Sequence, residues 1–332
     1  VTAVQPIFAG GQILNGNKLA KVNASVKSEQ LRLSEDEAVL TVEQYYWQWV
    51  SLKEKLKTLD VVGRQIDTIR RDVSTAVDAG VAMQNDLLQV ELERNRISAN
   101  RLKVNNGLSV VKMLLAQAIE LPADSFDIAV SVPEDLPDPN IYKVDHQAAL
   151  QITPTYRMLQ KSVEASKLQR NMELGKRLPT IGIGAGYMYY DLPDQHSISV
   201  IENRRSMGMV FASIAIPLSD WWGGTHAIRQ KNVQLKIAEE SKRSNSELLL
   251  VQMQQLWNEL VEAYDQAKIS KESVAKATEN ARISTNCYHA GTVAVSDLLN
   301  AQSLLQQSRD QYTDDLTTYF IKRTRYLQAT GR

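Results

Sequence analysis

An internal repeat constrains the fold of this chain more strongly than any local motif. Gly80 is followed, after five intervening residues, by Asp86-Leu87-Leu88, and the same pattern recurs 211 positions later at Gly291 and Asp297-Leu298-Leu299. Two further pairs of landmarks keep this offset, Pro6 with Pro217 and Gln117-Ala118 with Gln328-Ala329. One offset shared by separate landmarks is not expected by chance, so we predict a tandem duplication.

The boundary between the two repeats is predicted in a proline-rich connector. Residues 121–140 contain four prolines and several acidic residues, so they cannot form one regular element. We assign residues 1–140 to the C-terminal part of repeat 1. This part has a strand remnant, a long helix, a turn that reverses the chain (the tip turn), a second helix that runs back (the return helix) and the connector. Residues 141–332 form repeat 2, with a helix, two membrane strands, a long helix, a tip turn and a return helix. The repeat offset also leads us to expect that about seventy residues have been lost from the front of this chain.

Two long segments of the sequence predict unusually long helices. Residues 12–79 and 225–290 contain no proline and almost no glycine. Apolar residues in the first segment recur at alternating steps of three and four, which is typical of a coiled-coil seam. The residues of this seam are Val42, Tyr45, Trp49, Leu52, Leu56 and Leu59. A helix of this length would reach roughly 100 Å, which predicts long antiparallel helical hairpins.

Glycines mark the predicted turns of these hairpins. Gly80 and Gly291 follow the long segments, and glycine takes the left-handed conformation that ends many helices. Return helices are then predicted over about 86–120 and 297–330. We expect Asn85 or Ser296 to cap them.

Two segments between the helices, free of charged residues over 180–190 and 206–218, predict β-strands. Residues 180–191 alternate in the two-residue period of a strand, and residues 206–218 have the right length for a partner. Repeat 1 keeps only the tail of its own strand, residues 1–7. The length of these strands fits tilted membrane strands, but so few strands close a barrel only when several copies contribute. The aromatic residues predicted to lie at the membrane interface are Tyr187, Tyr189, Tyr190, Trp221 and Trp222. For the two tryptophans, loop packing is the alternative.

Composition argues against several classes of function. The chain has 38 Lys and Arg residues against 38 Asp and Glu residues, so it lacks the basic excess that binds nucleic acid. A single cysteine and four histidines without paired metal-ligand spacing predict no metal site. Cys287 and His289 lack an orienting acid and an oxyanion site, so we predict no catalytic residues, no enzyme activity and no cofactor.

The junction and tip motifs together resemble the TolC-like outer-membrane efflux proteins, over essentially all 332 residues. The motifs are Pro6-Ile7-Phe8-Ala9-Gly10-Gly11, Pro217-Leu218-Ser219-Asp220-Trp221-Trp222-Gly223-Gly224, Ala79-Gly80, Ala290-Gly291 and Leu178-Pro179. The resemblance implies a mainly α fold with a small β part. In it, long coiled-coil hairpins in two tandem repeats form an α-barrel, and the strands belong to a trimeric outer-membrane β-barrel.

The same resemblance implies a function and a location. A homotrimer in the outer membrane of the Gram-negative envelope would extend a hollow helical domain into the periplasm. It would serve as the passive exit duct of a tripartite efflux or type I secretion system. A periplasmic adaptor, or membrane fusion protein, would join it to an inner-membrane pump. The alternative is a soluble periplasmic coiled-coil scaffold or adaptor, which has no reason to keep residues 180–190 and 206–218 free of charge.

The resemblance further implies which residues form the periplasmic tip. Gly80 and Gly291 would lie where adaptor hairpins dock and an acidic ring narrows the entrance. The residues matching that tip are Asp86, Tyr288, Asp297 and Asn300, the last standing where some members have aspartate. Val293 stands where some relatives have a basic residue, so an arginine latch is absent or differently built. For the two aspartates, stabilising a helix N-terminus is an alternative compatible with the aperture role.

Overall fold

The computed structural model describes residues 1–129, 135–191, 204–218 and 224–332. The helices are α1 (Gln12–Asp78), α2 (Gln84–Ala118), a short 3₁₀ turn (Pro139–Tyr142), α3 (His146–Leu150), α4 (Pro154–Gly175), α5 (Thr225–His289) and α6 (Val295–Ala329). The strands are β1 (Thr2–Ala9), β2 (Thr180–Asp191) and β3 (Arg204–Ala215). In this part of the chain, none of the helices combines the length and apolar character required to cross a membrane.

The helix bounds reproduce the sequence repeat. Helices α2 and α6 are both 35 residues long, and each bound of α6 lies 211 positions after the matching bound of α2. The long helices α1 and α5 span 67 and 65 residues, which confirms the predicted long helices. Two compact units divide the molecule, the first comprising Val1–Arg32 and Gln151–Leu248 and the second Leu33–Leu150 and Leu249–Arg332. Each unit contains residues of both repeats. The boundary between the two repeats at residue 140 therefore stays a prediction from the sequence.

The first unit contains an antiparallel sheet with the strand order β1-β2-β3. One face of β2 is glycine-rich, and large side chains of β3 cover it. A Cβ atom built on Gly184 would lie 2.4 Å from Cζ of Phe211, so glycine leaves the space that the tip of the aromatic ring occupies. The predicted strands are confirmed, with β3 beginning at Arg204 and ending at Ala215.

Two close glycines join the sheet to the helices within the first unit. Gly10 directly follows β1 and has a φ of 58°, and Gly175 is the last residue of α4. A Cβ atom on Gly175 would lie 2.3 Å from the carbonyl oxygen of Gly10, so the two backbones are in direct contact. The turn that leads from β1 into α1 is therefore fixed against the end of α4.

In the second unit, α1 uses two different faces for packing. Trp49 packs with Leu108, Val111 and Leu115 of α2, and the predicted seam residues Val42, Tyr45, Leu52 and Leu56 surround them. On another face, Trp47 and Val50 pack against residues of α5 and α6. The seam was predicted from its spacing, whereas the face carrying Trp47 was not.

The helix N-termini differ from the prediction in their capping residues. Met83 and Ala294 are the N-cap residues, so the assignment of Asn85 or Ser296 as caps is wrong. In α2 the helix begins before Asn85, and the side chain of Asp86 reaches back and accepts a hydrogen bond from the backbone N–H of Met83, at 3.2 Å.

Glu120 occupies a strained position that the second repeat gives to glycine. It has a φ of 56° after the end of α2, and the equivalent residue after α6 is Gly331, with a φ of 77°. We expect Glu120→Gly to stabilise the protein by about 0.5 to 1 kcal/mol, because glycine adopts this conformation without a steric cost. Thermal denaturation of the variant measures the gain. Glu120→Ala, which keeps the Cβ atom, should bring none, and an equal gain from both variants would disprove the explanation.

Candidate functional site

The two tip turns have the same backbone geometry. After α1, Gly80 has a φ of 74° and donates its N–H to the carbonyl of Val77 at 2.9 Å, while Val81 donates to Ala76 at 2.9 Å. After α5, Gly291 has a φ of 72° and donates to Tyr288 at 2.9 Å, in the same pattern. This pair of bonds is a Schellman motif, and a positive φ at its centre favours glycine. The repeated glycines therefore end both long helices as the sequence predicts.

A shared apolar cluster brings the two tips together within the second unit. Its buried residues near the turns come from α1, α2 and α6, and they include Val73, Val90, Val295 and Leu298. The partly buried residues packed on this end of the cluster are Val77, Leu87, Tyr288 and Leu299. Since these residues flank both turns, Gly80 and Gly291 lie at one end of the helical unit, which confirms that part of the predicted hairpin arrangement.

The acidic residues of the tip differ in their surroundings. Asp86 is half-buried in the first turn of α2, and its carboxylate accepts the hydrogen bond from Met83. Asp297 is exposed in the first turn of α6, and Asn300 is exposed three residues later. Side chains three residues apart on a helix lie on the same side, so Asp297 and Asn300 form one solvent-facing polar patch. Asp86 thus has a structural role in addition to its charge.

Tyr288 connects the second tip to the acidic groups of the first hairpin. It is half-buried in the tip cluster. Burial raises the pKa of Tyr288, and the nearby carboxylates of Asp72 and Asp86 raise it further. Its hydroxyl is therefore neutral at physiological pH and is available as a hydrogen-bond donor. Sequence reasoning missed Asp72, because its approach to Tyr288 depends on how the two hairpins pack and has no local motif.

A family comparison decides the class of protein. Residues 146–332, more than half of the chain, match the family model described as outer membrane efflux protein. The chain belongs to this family. Membership confirms the predicted efflux function and favours it over a soluble scaffold. The family is one of channel proteins and not of enzymes.

Solved structures of low sequence identity share the fold of this efflux protein. VceC of Vibrio cholerae is 12% identical with a TM-score of 0.81, and the match covers 99% of this chain and 78% of that one. CmeC of Campylobacter jejuni is 10% identical with a TM-score of 0.82, covering 99% and 70%. The open-state MtrE channel of Neisseria gonorrhoeae is 13% identical with a TM-score of 0.77, covering 97% and 72%. No curated protein sequence matches the chain. These likenesses confirm the predicted fold of long helices with a small β part.

The sheet of this efflux protein has an exposed apolar face opposite its glycine face. The exposed residues of that face include Ile181, Ile183, Tyr187, Tyr189, Val210 and Ile214. Tyr187 and Tyr189 are 56% and 58% exposed. The side chain of Tyr190 and the residues Trp221 and Trp222 lie outside the described residues. An interfacial role for these five aromatic residues remains a prediction.

The described residues include no cluster of metal-ligating side chains. Groups of three or more His, Cys, Asp or Glu residues with suitable positions do not occur in residues 1–129, 135–191, 204–218 and 224–332. Cys287 is half-buried near the end of α5, and its backbone carbonyl accepts a bond from the hydroxyl of Thr292 at 3.0 Å. Cys287 therefore has a structural place at the C-terminal end of α5, where its carbonyl takes part in the turn.

Proposed function

We propose that this protein is the passive exit duct of a tripartite efflux or type I secretion system, with the helical tip as its entrance. The observation that carries the proposal is the convergence of both glycine turns on one cluster beside the exposed polar patch of Asp297 and Asn300. In this proposal the tip lies in the periplasm of a Gram-negative cell, and the strands lie in the outer membrane. Solutes enter at the tip and leave through the barrel without chemical change.

Unpaired strands support a homotrimer. In the described sheet β2 is central, so β1 and β3 are both edge strands. Edge strands present unpaired backbone groups that pair readily with another chain, and a three-stranded sheet needs further strands to close. Additional copies of this chain are the simplest source of such strands. The exposed apolar face of the same sheet is then suited to contact outer-membrane lipid.

Exposed apolar residues on the long helices also support self-association. Val233, Ile237, Leu248 and Val251 of α5 are all more than half exposed. Large apolar residues exposed along one helix commonly mark a surface that another protein covers. Neighbouring copies in a helical barrel would bury this surface.

The first tip offers a surface for the periplasmic adaptor. Val81 and Met83, on either side of Ala82 in the turn after α1, are 80% and 74% exposed. Apolar side chains at a helix turn suit contact with an apolar patch of a partner protein, and methionine adapts its shape to such partners. We therefore assign adaptor docking to this turn, and connection to the inner-membrane pump follows through the adaptor.

The acidic entrance can be tested by charge removal. Three-fold symmetry would gather three copies of Asp86 and of Asp297, which attract cations. Replacing both residues by asparagine should reduce the preference for cations in single-channel recordings of the full trimer. The loss of stability should stay below about 2 kcal/mol, because it involves helix N-terminal interactions only.

Two controls make this experiment decisive. Glu37→Gln removes an exposed acid of α1 far from the tip and should leave selectivity unchanged. Asp297→Asn alone should change selectivity without affecting the Asp86 hydrogen bond. Unchanged selectivity in a folded, trimeric double variant would remove the aperture role from both aspartates.

A further inference from the structure

The segment that leads into α3 is attached to the C-terminal part of α6 through the hydroxyl of Tyr326. Tyr326 is fully buried. Nε2 of His146, the first residue of α3, lies 3.1 Å from this hydroxyl, and the backbone N–H of Val144 donates to it at 3.4 Å. All three residues belong to the second unit. Two close positions in the chain therefore meet one buried side chain of a distant helix.

The neutral form of His146 satisfies this buried hydroxyl. A tyrosine hydroxyl donates one hydrogen bond and accepts others, and a neutral imidazole ring has one nitrogen that accepts. Since the hydroxyl oxygen accepts from Val144, its own hydrogen is available for Nε2 of His146. The ring then carries its hydrogen on Nδ1. In this arrangement the hydroxyl of Tyr326 has both a donor and an acceptor.

Protonation of His146 would reverse the bond to Tyr326. Both nitrogens of a protonated imidazole ring are donors, so Nε2 would donate to the tyrosine oxygen. That oxygen would then face two donors, the ring and the N–H of Val144, and the tyrosine hydrogen would lose its acceptor. A buried donor without an acceptor is costly, so protonation weakens the contact.

The charges on either side of His146 also oppose a proton on its ring. From the same segment, Lys143 disfavours the charged ring and Asp145 favours it. From the end of α6, the guanidinium carbon of Arg332 lies 6.0 Å from the centroid of the Tyr326 ring. Two cations and one carboxylate leave an excess of positive charge, to which a protonated histidine would add.

The other helices beside Tyr326 contribute an uncharged ring and a distant acid. Helix α5 presents Trp257, with its ring centroid 5.3 Å from that of Tyr326. On α1, the carboxylate of Glu43 accepts a hydrogen bond from the hydroxyl of Thr324. Thr324 and Tyr326 are two residues apart, so this acid lies on a different side of α6. The charge balance at His146 is therefore set by the two cations and the aspartate described above.

We propose that His146 and Tyr326 form a proton-sensitive latch. The latch holds residues 143–150 against the end of α6 while His146 is neutral, and it releases them when the ring is protonated. Histidine is the side chain whose ordinary pKa places such a change near neutral pH. The latch is a property of the second unit and does not depend on the proposed duct.

Separate contacts confine the release to this segment. The hydroxyl of Tyr319 donates to the carbonyl of Pro137 at 2.6 Å, and the guanidinium of Arg332 donates to the carbonyl of Tyr142. Neither bond involves an imidazole ring, so both remain when His146 is protonated. Residues 137–142 should therefore stay attached to α6 at low pH.

Burial supports the neutral form of the latch. It lowers the pKa of His146, Asp145 opposes the decrease, and Lys143 adds to it. A histidine with a lowered pKa in the folded state binds its proton less tightly there than in the unfolded chain. Its contribution to stability is therefore complete above the ordinary histidine pKa of about 6.5, and it is lost as the pH falls from there through the lowered value.

Hydrogen exchange followed by mass spectrometry tests the latch in the full-length protein. After correction for the intrinsic exchange rate, we expect the protection of residues 143–150 to fall about three- to tenfold between about pH 7.5 and about pH 5.5. Protection of residues 137–142 should stay constant. His146→Gln keeps an acceptor for Tyr326 and cannot be protonated, so its protection should not change with pH. The same pH dependence in the wild type and His146→Gln would overturn the proposal.

Two further variants distinguish the latch from a general sensitivity to acid. Tyr326→Phe removes the hydroxyl and should lower the protection of residues 143–150 at both pH values. Full protection of this variant at about pH 7.5 would show that the hydroxyl does not hold the segment. His226→Gln changes an exposed histidine of α5 in the first unit and should keep the wild-type pH dependence. A loss of that dependence would place the sensor at His226 and overturn the latch.

Nuclear magnetic resonance of the imidazole ring remains informative if these variants do not fold. The ring signal of His146, assigned by replacing the other three histidines, should titrate below the ordinary histidine pKa of about 6.5. Titration at or above that value would show that the folded protein does not favour the neutral ring, and the latch would be refuted.

Discussion

Gly175→Ala is expected to destabilise the protein by about 3 kcal/mol or more, a large effect for the addition of one methyl group. The new Cβ atom would lie 2.3 Å from the carbonyl oxygen of Gly10 and 3.2 Å from its carbonyl carbon. Both contacts are with backbone, which cannot turn aside as a flexible side chain can. The φ of 58° at Gly10 fixes the opposing turn as well. Relief of the clash therefore requires movement of α4 or of the turn after β1.

Gly16→Ala is the matched control for this substitution. Gly16 lies inside α1 in the same unit, and the nearest atom to an added Cβ is the terminal methyl carbon of Met172 at 3.9 Å. Alanine in a helix interior is favoured over glycine by about 1 kcal/mol, so this variant should be slightly more stable than the wild type. Chemical denaturation followed by circular dichroism compares the two variants. Equal stabilities would show that Gly10 and Gly175 are not in close contact.

The repeat predicted the helical hairpins because its glycines have a local conformational cause. The positive φ at Gly80 and Gly291 is required by the Schellman turn itself, so a sequence pattern can reveal it. The contact between Gly10 and Gly175 has no such local signal, because it joins residues far apart in sequence. The capping error at Asn85 has a different, local origin, since the Asp86 side chain satisfies the backbone of Met83 three residues earlier.

The sequence predicted which residues of the candidate site lie at the tip, but it did not predict which side chains surround them. Motif matching placed Tyr288 and Asp86 at the tip, and the structure brings both hairpins to one cluster. The influence of Asp72 on Tyr288 depends on packing between α1 and α5, which spacing within one helix cannot reveal. The burial of polar atoms of Gln306 and Asp310 was missed for the same reason, since a polar residue on a helix gives no sign of burial until its neighbours are known.

The two repeats bury different faces of their long helices. Tyr46 corresponds to Trp257 at the repeat offset, and Trp257 is buried. Trp47, which is also buried, corresponds to the exposed Asn258. Duplication therefore fixes the helices but not their packing partners, and the buried Trp47 has no buried counterpart in the second repeat.

Trp47→Ala should lower the free energy of unfolding by about 3 to 5 kcal/mol. Its ring stacks on Phe320 of α6, with centroids 4.1 Å apart and planes 3° from parallel. The surrounding cluster includes Leu260 of α5 and Tyr319 of α6, so Trp47→Ala would leave a cavity where three helices meet. Denaturation of the full-length variant, followed by circular dichroism, measures the loss.

Comparison of Trp47→Phe with Trp47→Ala separates the stability that comes from aromatic stacking from the stability that comes from side-chain volume. Phenylalanine can keep a stacked contact with Phe320, and aromatic pairs contribute about 0.5 to 1.5 kcal/mol beyond the area they bury. We therefore expect Trp47→Phe to lose clearly less stability than Trp47→Ala. Equal losses from both variants would show that the stack contributes nothing, and a stable Trp47→Ala would show that α1, α5 and α6 are not held together at this position.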